Sequence, residues 1–121
     1  MILGLRTVIY PVTDLAHGRA WYASVLGCQP YFDEPFYVGF SVGGFELGLI
    51  PEGRPGADGG TAHWGVPDAA AELGRLVALG APVHVPVTEV GGGIKVAAVH
   101  DPFGNVFAII QNPHFKPADV R

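Results

Sequence analysis

The sequence predicts an α+β fold in which two βαβββ repeats form a curved, barrel-like mixed sheet with the helices outside. The first observation is a repeated order of segments: an apolar strand-like run, an Asp, a helical stretch, a glycine and three short β-type runs occur twice. The second is that the two helical stretches, Val12–Gly27 and Val66–Gly80, differ by one residue in length. One such repeat cannot bury both its sheet and its helix, so the two are expected to pair.

The whole chain is predicted to be one domain. Its 121 residues, 49% of them hydrophobic, are enough for a single core and too few for two independent domains. Repeat one is placed at about 5–51, a Pro- and Gly-rich linker at 52–60, repeat two at about 61–112 and a C-terminal tail at 113–121. Pairing of the repeats creates a concave trough, and its inner face is the expected ligand site.

The first repeat opens with the apolar strand Thr7–Val12. Thr13 or Asp14 is predicted to cap the following helix and Gly27 to end it, because a short polar side chain satisfies the first amides and glycine adopts the left-handed conformation. The helical period places five residues near the inner face: Leu15, Gly18, Tyr22, Val25 and Leu26. Three strands follow at Gln29–Asp33, Phe36–Val42 and Phe45–Ile50, with a hairpin turn at Gly43-Gly44.

The second repeat runs in the same order. Asp68 is predicted to cap its helix, which stops at Gly80, and the inward positions are Leu73, Leu76 and Val77. Its strands are predicted at Val83–Glu89, Ile94–His100 and Val106–Gln111. The last hairpin turns at Asp101–Asn105, where glycine and asparagine tolerate positive φ.

Composition excludes several classes of function. The formal charge is -4, and the seven basic residues form no run, which argues against a nucleic-acid-binding surface. The sequence has no apolar window of about 20 residues, so a membrane span is not predicted and a cytoplasmic location is expected. Cys28 is the only cysteine, so any metal would have to be held by His, Asp or Glu.

Strand alternation places Glu46 on the trough side of its strand, because its neighbours Phe45 and Leu47 are apolar. In the second repeat, His63 shares a face with Thr61. Glu46 and His63 are therefore the candidate catalytic residues, as a metal-free acid/base pair. For Glu46 the alternative is a carboxylate hydrogen-bonded to Thr7 or His63.

Two further features bear on the trough. Small residues at inward strand positions are expected to leave room for a ligand: Gly48, Gly65 and Ala108. Aromatic residues crowd the first repeat between Tyr31 and Phe45; most are expected to pack in the core or a dimer, and the remainder to stack on a flat ligand. His100 and His84 lie opposite the most apolar residues of their strands, facing the trough or solvent.

The repeat pattern resembles the vicinal oxygen chelate superfamily, which includes glyoxalase I, extradiol dioxygenases and bleomycin-resistance proteins. The resemblance rests on "VTDLAHGRAWYASVLG" and "DPFGNVFAII" and covers about residues 5–112. It implies a homodimer and, in the enzymes, a divalent metal held by the first and last strand of each repeat. The four implied ligand positions fall on Thr7, Glu46, Thr61 and Ala108.

Only Glu46 among these four positions carries a metal-binding side chain of the expected type. No intact metal centre is therefore predicted; a divalent metal held weakly by Glu46 and His63 is the alternative. The candidate ligand-binding residues are Thr7, Tyr37, Glu46, Thr61, His63, His100, Phe103 and Ala108.

The predicted function is binding of a small aromatic or natural-product-like ligand, as in antibiotic sequestration and resistance. The alternative is an enzyme of the same superfamily, a lyase, isomerase or dioxygenase that uses Glu46 and His63. A module without a ligand ranks last, because the small inward residues leave the trough open.

Overall fold

The computed structural model describes Met1 and residues 3–120, and it confirms the α+β class with two βαβββ units. The compact units are Met1–Gly56 and Ala57–Arg121. The elements of the first unit are β1 (Thr7–Pro11), α1 (Leu15–Leu26), β2 (Phe32–Glu34), β3 (Tyr37–Val42) and β4 (Phe45–Ile50). Those of the second are β5 (His63–Gly65), α2 (Ala69–Ala78), β6 (Val83–Gly91), β7 (Ile94–His100), β8 (Val106–Gln111) and a 3₁₀ turn, Pro117–Asp119.

The first unit contains a four-stranded mixed sheet in the order β1-β4-β3-β2. β1 runs parallel to β4, and the other pairs are antiparallel. The ring contact between Tyr10 and Tyr22, with centroids 5.6 Å apart, places α1 on the face that carries Tyr10. The buried side chains of this unit are Tyr10, Val12, Tyr22, Val25, Val38, Phe40, Leu47 and Leu49.

Strand alternation defines the opposite side of this sheet, which we call the far face. Its residues come from all four strands and lie side by side in register: Thr7, Glu46 and Ser41 in one row, and Ile9, Gly48, Gly39 and Phe32 in the next. Tyr37 lies on the same side, two residues before Gly39. The far face therefore carries three polar residues, Thr7, Ser41 and Glu46, and the glycine pair Gly39 and Gly48.

The ends of α1 follow the predicted capping pattern. The Asp14 carboxylate accepts a hydrogen bond from the His17 amide at 3.0 Å, and Gly27 ends the helix with φ of 71°. Gly18 lies on the buried side, and a Cβ there would be 3.1 Å from the Val12 side chain. Glycine thus permits the close approach of α1 to the segment that precedes it.

The second unit contains a four-stranded mixed sheet in the order β5-β8-β7-β6, with β5 parallel to β8. Trp64 stacks on Phe107 with ring centroids 6.4 Å apart. Asp68 caps α2 by accepting from the Ala71 amide at 3.1 Å, and the Gln111 side chain accepts from the Ala69 amide at 2.9 Å. The first bond caps the helix, and the second holds the start of α2 against the end of β8.

Three local predictions need correction. β2 begins at Phe32 and not at Gln29, because Pro30 has no amide to enter the strand ladder. Val77 is 46% exposed, since α2 buries the side that carries Leu76 and the next residue points about 100° away. β6 extends to Gly91, with register shifts along its pairing with β7.

No helix in the described part of the chain is long and apolar enough to cross a bilayer.

Candidate functional site

Glu46 is the centre of a hydrogen-bonded cluster on the far face of the first sheet. The Tyr31 hydroxyl donates to its Oε1 and the Tyr37 hydroxyl donates to its Oε2. A carboxylate has acceptors only, so two hydroxyl donors match it. The partners that the sequence predicted for Glu46 were Thr7 or His63; in the structure they are the two tyrosines.

A glycine pair supports these tyrosines. Gly39 and Gly48 are opposite each other in the β3–β4 ladder. A Cβ on Gly48 would overlap the Tyr37 hydroxyl and lie 2.6 Å from its Cζ, so the ring lies directly on the Gly48 backbone. A Cβ on Gly39 would be 3.2 Å from Tyr37 and 3.3 Å from Tyr31. The two glycines therefore form the floor on which both rings rest.

This floor corrects one prediction. Gly48 was expected to leave room for a ligand, but Tyr37 fills the space above it. A sequence shows where a side chain is missing, and it does not show which distant ring moves into the gap. Gly65, by contrast, has nothing within 4 Å of an added Cβ.

Burial also affects the chemistry of Tyr37. Desolvation raises the pKa of its hydroxyl above the ordinary value of 10.0. The hydroxyl accordingly keeps its proton at neutral pH and acts as a donor to Glu46.

A pocket of about 370 Å³ opens beside this cluster. All of its lining residues belong to the first unit: Arg6, Tyr31, Ser41, Gly44, Phe45 and Glu46. Glu46 is half-buried, whereas Tyr31 is 65% exposed. The pocket thus combines one carboxylate, one guanidinium and an accessible aromatic ring.

Aromatic side chains continue from this cluster to the β2 edge of the sheet. The Phe32 ring lies 6.0 Å from both Phe36 and Tyr37, in edge-to-face geometry. Phe36 is 63% exposed, so this end of the aromatic group is accessible to solvent. Phe40, from the same stretch of sequence, is fully buried in the core.

In the second unit, the positions that correspond to Thr7 and Glu46 are Thr61 and Ala108. His63 lies opposite Ala108 in the β5–β8 register. His63 and Thr61 are exposed, and Ala108 is buried. The structure therefore brings His63 and Ala108 together, with a methyl group where a carboxylate would be needed for a metal.

His100 pairs with His84 at the end of the same sheet. Their ring centroids are 4.5 Å apart, and His100 Nδ1 is buried without a hydrogen-bond partner among the described residues. Phe103 lies in the following turn, where its amide donates to the Asp101 carboxylate at 2.8 Å. His100 thus contacts His84 at the end of β7, and the hydrogen bond to Asp101 fixes the backbone of Phe103 in the turn that follows.

The predicted site residues thus fall into separate groups. Thr7, Tyr37 and Glu46 lie together on the far face of the first unit. Glu46 belongs to the first unit and His63 to the second, so their joint action as an acid/base pair stays a prediction. Sequence reasoning missed Arg6 and did not single out Tyr31, although Tyr31 was part of the aromatic stretch.

The residues present do not fit the metal centre of the enzymes in the resembled superfamily. In the described part of the chain, no three His, Cys, Asp or Glu side chains gather closely enough to hold a metal ion. Thr7 stands beside Glu46 in register, and both oxygens of Glu46 accept from tyrosines. His63 stands beside Ala108. The donor set is therefore one carboxylate that is already hydrogen-bonded.

Comparison with known proteins agrees with this architecture. The profile of the Glyoxalase/Bleomycin resistance protein/Dioxygenase superfamily matches residues 4–109. The chain belongs to this superfamily. A search of curated protein sequences returns no match. The superfamily assignment thus rests on most of the chain and confirms the resemblance drawn from its two repeats.

Solved structures of the superfamily share the fold. A glyoxalase-related enzyme from Fulvimarina pelagi is 21% identical with a TM-score of 0.79, covering 99% of this chain and 96% of that one. Lactoylglutathione lyase from Agrobacterium tumefaciens is 20% identical with a TM-score of 0.76, covering 93% and 98%. A fosfomycin resistance protein from Listeria monocytogenes is 15% identical with a TM-score of 0.78, covering 100% of both chains.

At these identities the similarity establishes the fold. The names of these structures include a lyase and a resistance protein, so the superfamily fold is compatible with more than one activity. The activity of this chain has to be argued from its own site.

Proposed function

We propose that this member of the superfamily is a small-molecule-binding protein of the sequestration type, and that its ligand binds in the pocket beside Glu46. The observation that carries the proposal is the cluster of Glu46 with Tyr31 and Tyr37, which places an anchored carboxylate on the wall of a 370 Å³ pocket. A volume near the lower end of the range for ligand sites, with both polar and aromatic side chains in its lining, fits a small aromatic or natural-product-like ligand that also carries polar groups.

The donor set supports binding without the superfamily's metal centre. A catalytic metal site generally keeps three protein ligands, and here the aligned positions are Thr7, Glu46, Thr61 and Ala108. We expect protein purified without a metal-chelating column to contain less than stoichiometric Fe, Mn, Ni or Zn in elemental analysis. One tightly bound ion per chain would contradict this proposal and favour the enzyme alternative with Glu46 and His63.

Ligand binding is tested with compounds that the family and its structures name: bleomycin, fosfomycin and lactoylglutathione. We expect at least one of them to raise the melting temperature in a concentration-dependent way, because a ligand that binds only the folded state stabilises it. The compound should be recovered unchanged by mass spectrometry.

The matched control is Glu89→Gln, which removes one carboxylate charge from an exposed position on β6. Glu46→Gln should reduce the thermal shift, and Glu89→Gln should leave it unchanged. A shift that survives Glu46→Gln would place the ligand elsewhere. Conversion of a tested compound to a new product would contradict sequestration and favour an enzyme.

We also propose a homodimer, as the superfamily resemblance implies, and a cytoplasmic location, as expected from the sequence. Support for the dimer comes from two exposed aromatic residues near the β2 edge outside the pocket, Phe32 and Phe36, which are 38% and 63% exposed in one chain.

A further inference from the structure

We infer that the pocket beside Glu46 selects ligands that carry a protonated amine on a flat apolar body. This inference rests on the proposed function and adds the chemical class of the ligand. Its basis is an anionic group that is held in place, partly buried and not in an ion pair with any of the described residues.

The first step is the count of acceptor sites on Glu46. A carboxylate has about four lone-pair positions, and the two tyrosine hydroxyls occupy one on each oxygen. The remaining positions are available to donors in the pocket that Glu46 lines. A ligand that brings N–H donors therefore completes the hydrogen bonding of this carboxylate.

The second step is charge. Tyr31 and Tyr37 are neutral donors, so they orient the carboxylate without cancelling its charge. The ion pairs of the described residues, Arg19 with Asp33 and Arg75 with Glu72, do not include Glu46. A half-buried carboxylate that forms no ion pair with the described residues favours a cationic ligand over a neutral one of the same shape.

The third step is rigidity. The Gly39–Gly48 pair lets both tyrosine rings lie against the sheet, and Tyr37 is wedged on the Gly48 backbone. A carboxylate held by two hydroxyl donors, one of them on the wedged Tyr37 ring, loses little side-chain freedom when a ligand binds. The exposed Tyr31 ring beside it offers a face for the apolar body and for cation–π attraction to the amine.

Arg6 lines the same pocket and carries the opposite charge. Its Nη1 donates to the Leu5 carbonyl at 3.2 Å, and the side chain is exposed. Solvent screens an exposed guanidinium more than it screens a half-buried carboxylate, so Glu46 dominates the selection. Glu46 favours a cationic ligand and Arg6 an anionic one, so probes of opposite charge test which side chain dominates.

The test uses three probes of nearly equal shape: benzylamine, benzyl alcohol and benzoate, titrated at neutral pH into ¹⁵N-labelled protein. Binding is measured from the backbone amide shifts of Arg6, Ser41 and Gly44. We expect benzylamine to bind about five- to tenfold more tightly than benzyl alcohol, and benzoate to bind most weakly. Added salt should reduce the preference.

Variants separate the contributions of the two charges. Glu46→Gln should reduce the preference for benzylamine over benzyl alcohol to about one, whereas Arg6→Gln should strengthen benzylamine binding up to about threefold. Glu89→Gln, which changes the net charge equally in the second unit, should have no effect. Thermal melts confirm that each variant is folded. Tyr31→Phe removes one of the two hydroxyls that orient Glu46, and so tests that hydrogen bond separately from the charge.

Several results would overturn the inference. Benzoate as the tightest probe, weakened by Arg6→Gln, would make this an anion site. Equal binding of all three probes, or no binding of benzylamine, would remove the charge selection. If the rise in melting temperature with an antibiotic or lactoylglutathione still depends on Glu46 when the probes show no charge selection, the proposed binding function stands. If that rise is also absent, the proposed function fails.

Discussion

At the scale of single residues, the structure assigns Glu46 a different environment from the one that the superfamily pattern implies. In the pattern it is a metal ligand; here its two oxygens accept from Tyr31 and Tyr37. The tyrosines are 15 and nine residues away in sequence. Their approach depends on β3 and β4 pairing in the register that places Gly39 opposite Gly48.

Tyr37 should make stability depend on pH in the alkaline range. Burial raises the pKa of its hydroxyl, so the folded chain holds this proton more tightly than the unfolded chain. The contribution is fully present below about pH 10 and is lost as pH rises through the higher pKa of the folded state. Denaturant unfolding from about pH 8 to 11 measures this loss.

The control for this titration is Tyr37→Phe. It should cost about 1–2 kcal/mol near neutral pH through the lost hydrogen bond, and it should make the free energy of unfolding less dependent on pH above 10. An equal alkaline slope in both proteins would assign the effect to other tyrosines.

Gly48→Ala should be far more harmful than a surface change of one methyl. The new Cβ overlaps Tyr37, so the ring must leave the Gly48 backbone and Glu46 loses a donor. We expect a loss of about 2–4 kcal/mol in the free energy of unfolding.

The matched variant is Gly65→Ala, also in a strand, where an added Cβ meets nothing within 4 Å. It should change stability by less than about 0.5 kcal/mol. Equal losses from the two substitutions would show that strand glycine itself, and not the contact with Tyr37, sets the cost.

At the scale of elements, short polar residues determine where helices and hairpins begin and end. Asp68 caps α2 as the sequence predicts, and Asp14 is the one of the two predicted candidates, Thr13 and Asp14, that caps α1. Asp101 is more deeply involved: it is 3% exposed and accepts from the Phe103 amide, the Asn105 amide and the Asn105 side chain. The β7–β8 hairpin therefore depends on one buried carboxylate.

Asp101→Ala should destabilise the protein by about 3 kcal/mol or more, because three donors lose their acceptor inside the turn. The exposed cap substitution Asp14→Ala should cost about 1 kcal/mol. Denaturant unfolding of the two variants provides the comparison. Similar losses would mean that water replaces the Asp101 carboxylate in the turn.

At the scale of the whole molecule, duplication of the βαβββ unit is the dominant feature. Each unit forms its own four-stranded mixed sheet with one parallel pair, β1 with β4 and β5 with β8. The chemistry is not duplicated: Glu46 in the first unit corresponds to Ala108 in the second. The second unit accordingly has a methyl group, and not a carboxylate, at the position that corresponds to Glu46.

The proposed homodimer predicts a mass in solution of twice the 12.7 kDa of one chain. Sedimentation equilibrium or light scattering measures it. Phe36→Glu, which puts a charge among the exposed aromatic residues at the β2 edge, should shift the population toward the monomer if this edge is the interface. A wild-type mass of one chain at all concentrations would exclude the dimer.

The amino-acid sequence by itself determined the α+β class, the two repeats, the cap of α2 and the last hairpin, and it narrowed the cap of α1 to Thr13 or Asp14, because these features depend on local periodicity and on residues a few positions apart. Together with the superfamily resemblance, it also showed that one of the four implied metal positions has the expected ligand type. The short β2, the outward Val77 and the Tyr31–Glu46–Tyr37 cluster were decided only by the tertiary structure. They depend on which side chains meet across strands, and Gly48 shows why: the missing side chain was readable, and the tyrosine that fills its place was not.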